Sequence, residues 1–317
     1  MSPKSKVQSP KSPGGSEFGV QSSEPSRARP ASNSKLKTQN PNLASTSGSR
    51  LTPHASRFTL HASRPLPLPF IYLNVAMTAD GKLAPANRHF VPFGSKRDRE
   101  LLLELRSRAD AVMSGARTVD LSAVNLGPGP ARFRRKRLGR GLLEYNLRVV
   151  VSGSGTLDPK AEIFRHRFSP IIILTTERIP KVRLKRLRAV ADAVKICGKA
   201  EVDFVAACRW LREKWGVKRL LCEGGGEINE GLLRAGLVDE IHVTLCPLIL
   251  GGRHAPTLAD GLGIAHLSDA TLLSLQAKTR VGDEIFLVYR LKRRPVTFER
   301  GRIRHRRNVE NISSPES

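Results

Sequence analysis

Between Pro69 and Arg290 the chain alternates short, nearly unbroken apolar runs with stretches whose apolar residues recur every three or four positions. Runs of four to eight read as strands buried on both faces, and the longer periodic stretches as helices laid over them. Phe70–Met77 opens as such a strand. Ser95 then offers a hydroxyl to cap a helix over about Lys96–Arg108, with Leu101, Leu102 and Leu105 on one stripe. Ala109–Ser114, Leu147–Val151, Pro170–Thr175 and Ala193–Ile196 continue the strands. Asp203 starts a helix to about Trp215, Val217–Cys222 is a strand, and Glu223-Gly224-Gly225-Gly226 leads into a helix through Leu233. Glu240–Leu245 and Asp283–Tyr289 have no helix between them, which predicts that they run antiparallel. The pattern predicts a single α/β domain: a mostly parallel central sheet, helices on both faces, and antiparallel strands at its C-terminal end.

Outside this region the pattern is lost. Residues 1–65, rich in Ser, Pro, Lys, Asn and Gln, bury too little apolar surface to offset chain entropy and are expected to be a disordered basic tail. His54-Ala55-Ser56-Arg57 recurs as His61-Ala62-Ser63-Arg64, too short a unit for a repeat architecture. Residues 291–317 read as a second flexible basic tail, leaving 66–290 as the domain. The net charge of +26 suggests a nucleic-acid partner until it is located. The tails carry +8 and +5, so half the excess lies outside the domain. Aromatic residues are only 5%, too few for base-stacking platforms, which argues against nucleic acid. The +13 left on the domain suits phosphorylated small molecules.

Cys197, Cys208, Cys222 and Cys246 lack C-x-x-C spacing and read as reduced, buried thiols. No clustered His/Cys spacing points to a metal. With neither a signal peptide nor an 18-residue apolar run, the expectation is a cytoplasmic protein with no membrane partner.

The strongest local signal for chemistry is the strand–glycine–helix passage at Val217–Leu233. Three glycines let backbone N–H groups approach a ligand, and the helix N-terminus behind them adds unpaired donors and the positive dipole end, a cradle for phosphate oxygens. A ligand-free tight turn is the competing reading. The spacing is neither G-x-G-x-x-G nor a Walker loop. A second signal is Thr78-Ala79-Asp80-Gly81-Lys82, a polar turn at a strand end. Ser114-Gly115-Ala116-Arg117-Thr118 is another strand-end turn, Arg106 closes the first helix, and Leu126-Gly127-Pro128-Gly129-Pro130 is a rigid turn. In a parallel sheet the strand-end loops converge on one edge. There is no Ser/His/Asp or Cys/His set, so backbone donors, Asp, Glu and Arg point to ligand positioning for hydride transfer, with a cofactor carrying the chemistry.

These segments in this order resemble the reductase domain of the bifunctional riboflavin-biosynthesis deaminase/reductase, a family with a dihydrofolate-reductase-like fold. The resemblance spans about Pro69–Arg290 and rests on Ala76–Ala84, Leu105-Arg106 with Ala109–Val112, Gly115–Val119, Leu221–Gly225, Gly236–Glu240 and Pro247–Gly252. It implies NADPH as cofactor and reduction of the ribosyl chain of a pyrimidine ribosylamino-phosphate to the ribityl form. Thr118 and the run Gly224, Gly225, Gly226, Glu227, Ile228 and Asn229 would lie against NADPH, Arg106 and Glu223 against the substrate. Asp80 would be the catalytic residue, ordering the substrate or relaying a proton through water. A homodimer is implied as well.

Two departures from the family's pattern stand out. Leu121–Gly127 lacks its usual second phosphate-binding arginine, for which Arg132 and Arg134 are the nearest substitutes, and Pro92-Phe93 replaces its tryptophan. No His-x-Glu with Pro-Cys-x-x-Cys is present, so the deaminase half is missing and the ring could be the uracil or the diamino-pyrimidinone. Another NADPH-dependent reductase of the same fold is the alternative, and a basic nucleic-acid-binding protein the reading from a different class.

Overall fold

The computed structural model describes residues 67–292, apart from His89, Phe90 and Ala123, and the strands Val296–Glu299 and Arg302–His305. The expectation for residues 1–65 lies outside them. The chain divides into units Met1–His61 and Ala62–Ser317, and everything described belongs to the second.

The apolar runs are strands, ordered to make one nine-stranded sheet. Its strands are β1 (Phe70–Thr78), β2 (Ala111–Gly115), β3 (Leu147–Val151), β4 (Ile171–Thr175), β5 (Ala193–Ile196), β6 (Arg219–Cys222), β7 (Val238–Cys246), β8 (Leu273–Val281) and β9 (Glu284–Leu291). They lie in the order β5-β4-β3-β2-β6-β1-β7-β9-β8. Pairing is parallel from β5 to β7 and antiparallel from β7 through β9 to β8. A parallel sheet needs cover on both faces, which is why Ile171–Leu174 is apolar at every position and wholly buried.

The helices are α1 (Lys96–Arg106), α2 (Ala116–Leu121), α3 (Ala131–Gly139), α4 (Glu162–Arg165), α5 (Lys181–Val190), α6 (Phe204–Trp215) and α7 (Gly226–Arg234). Ser95 caps α1 by accepting from the N–H groups of Arg97 and Asp98. Asp203 caps α6 in the same way, and Gly216, at φ +66°, closes it in the left-handed conformation. Phe204, Ala207, Cys208 and Leu211 of α6 and Ile228 and Leu232 of α7 pack with Leu73, Met113 and Val149 on one face. Leu105, Val119, Ile163 and Leu187 pack with Tyr72, Val112, Val150 and Ile173 on the other. Full burial of each large aliphatic side chain contributes roughly 1.5–3 kcal/mol.

Several elements escape the hydrophobic pattern. β8 is exposed along most of its length and is defined by its bonds to β9, not by burial. The inward face of α3 consists of Phe133 and Arg137. Arg137 is 1% exposed and donates to the carbonyls of Arg106 (2.8 Å), Ala109 (2.5 Å) and Leu143 (2.9 Å). Arg148 in β3 is equally enclosed, donating to the carbonyls of Ile163 and Ser169 over the Phe168 ring. A second antiparallel pair, β10 (Val296–Glu299) and β11 (Arg302–His305), falls within the segment read as a basic tail. The four cysteines are free and buried, and no helix among the described residues is long and apolar enough to cross a membrane.

Candidate active site

The sheet order makes neighbours of three loops that are far apart in sequence. β6 lies between β2 and β1, with Cys222 opposite both Met113 and Leu73. The turns after Gly115, after Cys222 and after Thr78 therefore leave the same edge side by side, where ligands bind open α/β sheets. The Glu223 N–H donates to the Met113 carbonyl (2.8 Å) and the Gly115 N–H to the Gly224 carbonyl (3.2 Å), which sews two of them together.

The three glycines answer to three different constraints. Gly224 has φ +81° with the Asn229 amide 3.3 Å from where a Cβ would stand. Gly225 faces open space, with nothing within 4 Å of that position. A Cβ at Gly226 would stand 2.6 Å from the Thr257 carbonyl oxygen and collide with the Asp260 carboxylate. Behind them the first N–H groups of α7 have no acceptor within the helix. Glu227 is exposed there, whereas Ile228 is buried under Gly115 and Asn229 is fully enclosed, donating to the Leu258 carbonyl (2.8 Å). The side chains of Ile228 and Asn229 thus hold the loop together, and the open surface is backbone. Thr118 is half-buried in α2, next to the sewn turns.

Arg106 and Glu223 meet each other. The guanidinium donates through Nε to Oε1 and through Nη2 to Oε2, both at 2.6 Å, and through Nη1 to the Gly127 carbonyl at 2.8 Å. Both side chains are about 10% exposed, and a bidentate pair so enclosed is among the stronger polar contacts available to a protein. Three bonds leave two of the five guanidinium N–H groups. Arg106 does not come from a strand end: it closes α1, just before β2 begins, and its length carries the charge across to Glu223. Arg132 and Arg134 on α3 carry partners of their own, Glu100 (3.0 Å) and Glu144 (2.9 Å).

Asp80 is a clasp. Its carboxylate accepts from the Thr78 hydroxyl (2.5 Å) and from the N–H groups of Leu250 (3.2 Å) and Gly251 (2.7 Å). The Thr78 hydroxyl first, then the Gly251 and Leu250 amides, holds its pKa below the usual carboxylate range. With the Ala79 N–H donating to the Leu248 carbonyl (2.9 Å), the loop after β1 is fixed to the loop after β7.

A polar row beside this site is missed by the hydrophobic pattern. Asn74 and Ser114 point to the α1 face of the sheet level with Glu223, Thr244 points to the same face two residues further along β7, opposite Ala76, and each is at most 9% exposed. The Oδ1 of Asn74, the Oγ of Ser114, the Oγ1 of Thr244 and the Oδ1 of Asp98 on α1 are all buried with no hydrogen-bond partner. Asn74, a lone polar residue inside the first apolar run, is the one clue the sequence holds.

A mostly parallel sheet with antiparallel closing strands and a glycine-lined edge fits the dihydrofolate-reductase-like fold. Residues 69–287 match the family model described as RibD C-terminal domain, and the chain belongs to that family. It is 34% identical to the 2,5-diamino-6-ribosylamino-4(3H)-pyrimidinone 5′-phosphate reductase of Methanothermobacter thermautotrophicus, over 71% of this chain and 99% of that protein. It is 32% identical to the protein of the same name from Archaeoglobus fulgidus, over 61% and 87%. Among solved structures, a pyrimidine reductase-like protein from Corynebacterium diphtheriae superposes with TM-score 0.59 at 23% identity, covering 71% of this chain and 92% of that one, which shows the fold.

Proposed function

We propose that this protein is a reductase of riboflavin biosynthesis, converting the ribosyl chain of a pyrimidine ribosylamino 5′-phosphate to the ribityl chain with NADPH. The observation that carries the reading is the juxtaposition of an open glycine cradle with a buried Arg106–Glu223 pair on one sheet edge. It is supported by the names of the two archaeal relatives, one matched over nearly its whole length.

Gly225, whose Cβ position is empty, and the N-terminus of α7 fit a dinucleotide's phosphates; Thr118 and Glu227 flank them. Held there, a reduced nicotinamide would supply hydride chemistry to C1 of an imine form of the open sugar, the nitrogen being protonated from water. Glu223 holds sugar hydroxyls, and Arg106 both fixes Glu223 and offers its two remaining N–H groups to a sugar or phosphate oxygen. Asp80 acts by positioning, since its oxygens already receive three bonds from the two loops it joins. A homodimer in the cytoplasm completes the proposal.

The test is dinucleotide oxidation by the full chain with 2,5-diamino-6-ribosylamino-4(3H)-pyrimidinone 5′-phosphate or its deaminated uracil counterpart. The expected result is a product two mass units heavier, with NADPH preferred to NADH. Absence of turnover on both pyrimidines, alongside reduction of dihydrofolate, would overturn it in favour of a pterin reductase.

A further inference from the structure

The turn Leu126-Gly127-Pro128-Gly129-Pro130 carries no acid, base or nucleophile, yet its backbone is both strained and buried. Leu126 stands at φ +55°, in the left-handed region that disfavours a residue with a Cβ, and is 1% exposed. Such a conformation persists only where its surroundings hold it, and it gathers at functional sites. Two asparagines hold this one. Asn146 donates to the Leu126 carbonyl (2.8 Å), and Asn125 accepts from the Gly127 N–H at Oδ1 (2.9 Å). Both polar groups of the peptide joining Leu126 to Gly127 are thus tied to side chains. The next carbonyl along, that of Gly127, receives the Arg106 guanidinium (2.8 Å).

Asn146 precedes β3, at the end of the strand away from the ligand edge, and is 1% exposed. Its amide nitrogen serves two carbonyls, Leu126 and Leu147 (2.9 Å), and its Oδ1 has no partner. A buried amide that leaves its acceptor bare is kept for its donors. Gly127 is also backed from behind: a Cβ there would stand 2.6 Å from the Phe168 ring, which rests against the Arg148 guanidinium (4.2 Å) and the Tyr145 ring (5.0 Å). Pro128 restricts the backbone of the glycine before it. The turn leads straight into α3, whose Arg137 donates to the carbonyl of Arg106 itself (2.8 Å). One continuous stretch of chain therefore grips Arg106 at both ends, main chain and guanidinium.

Resting on the reductase reading, we propose that Asn146 and Asn125 are positioning residues for Arg106: through the Leu126–Gly127 peptide they aim the Gly127 carbonyl, which fixes the direction in which the two unused guanidinium N–H groups face the substrate. Without that third bond Arg106 and Glu223 still pair, but they turn as one unit on two flexible stems and the orientation is lost. The loss falls on the pyrimidine, because among the described residues the glycine cradle before α7 shares no hydrogen bond with this turn.

The experiment compares the full natural chain with Asn146→Ala and Asn125→Ala. Misplacing a group at a reacting centre by about 1 Å can lower the rate on the order of a hundredfold. The kcat/KM for the pyrimidine substrate is therefore expected to fall about ten- to a hundredfold, with KM raised and kcat lowered, while Kd for NADPH stays within about twofold. Ile173→Ala, a core cavity in β4, reads what lost stability alone does and should leave both near their natural values. NMR of the arginine Nε–H groups reads the orientation without substrate: the Arg106 signal, identified by its loss in Arg106→Lys, should be sharp in the natural protein and broadened in both asparagine variants. Asn125 is only half-buried, so its variant decides the matter if Asn146→Ala does not fold. Unchanged pyrimidine kinetics in a folded variant, or an equal loss of NADPH affinity, overturns the inference. A broadened Arg106 signal in a protein whose natural form reduces neither pyrimidine fails the reductase reading alone, and a signal that stays sharp beside natural turnover fails the positioning alone.

Discussion

Single residues here carry constraints that their types do not announce. Arg106 and Glu223 look in the sequence like two separate substrate ligands, yet they form one buried unit. Glu223→Gln leaves the guanidinium with one carboxyl-type acceptor fewer and an uncompensated charge at about 10% exposure. We expect a loss of about 2–4 kcal/mol in urea denaturation, since breaking a buried pair strands the remaining charge. Turnover should fall at least tenfold as well; a variant as stable and active as the natural protein would show that the pair is incidental. Gly226 makes a contrasting case. A Cβ there collides with the Thr257 carbonyl, a backbone atom that cannot rotate away, so Gly226→Ala should lower the melting temperature by several degrees. Gly225→Ala meets no protein atom, and its effect should appear in the Kd for NADPH.

At the scale of elements, the joint between α1 and α3 is electrostatic. Glu104 on α1 receives Lys136 (2.6 Å) and Arg140 (2.7 Å) from α3 and its end, and Arg108 (3.3 Å) from its own helix. Burial pushes its pKa up, but Lys136 and Arg140 outweigh that and bring it down to about 2. Because the folded value lies below the unfolded one near 4.5, this contribution is present at neutral pH and is lost as pH falls from about 4.5 through 2. Glu104→Gln should therefore cost on the order of 1–2 kcal/mol at pH 7, reduced by solvent screening of the half-exposed partners. The difference from the natural protein should vanish near pH 2; a pH-independent difference would mean that packing, not charge, makes the joint. The same helices explain what the sequence reveals and what it hides. Strands such as Ile171–Thr175 are legible because burial on both faces demands unbroken apolar runs. α3 is illegible because half its inward face is Arg137, buried by hydrogen bonds to carbonyls. β8 hides for the opposite reason, as an edge strand with little to bury. In the site, glycines and the Asp80 turn announce themselves by type. Asn74, Ser114 and Thr244 do not, since only the sheet order brings residues so distant in sequence onto one face beneath α1.

For the whole molecule, the unresolved tension is between a strongly basic chain and a substrate that needs only a few cations. The site's one buried guanidinium is already shared with Glu223, and Arg132 and Arg134 hold surface carboxylates. On the proposed reading, the remaining positive charge of the domain acts at a distance and raises the local concentration of cofactor and substrate at one sheet edge. Such attraction weakens with salt, because the Debye length shrinks from about 10 Å at 0.1 M to about 3 Å at 1 M. We expect kcat/KM for both NADPH and the phosphorylated pyrimidine to fall several-fold between 0.05 and 0.5 M salt, with kcat nearly unchanged. A chain cut to residues 66–292 should keep most of that slope if the domain's charge provides the field. If the slope disappears with the tails, the steering belongs to residues 1–65 and 293–317. The basic composition would then reflect a task separate from the reductase site, and retention on nucleic acid by the full chain but not the cut one would name that task.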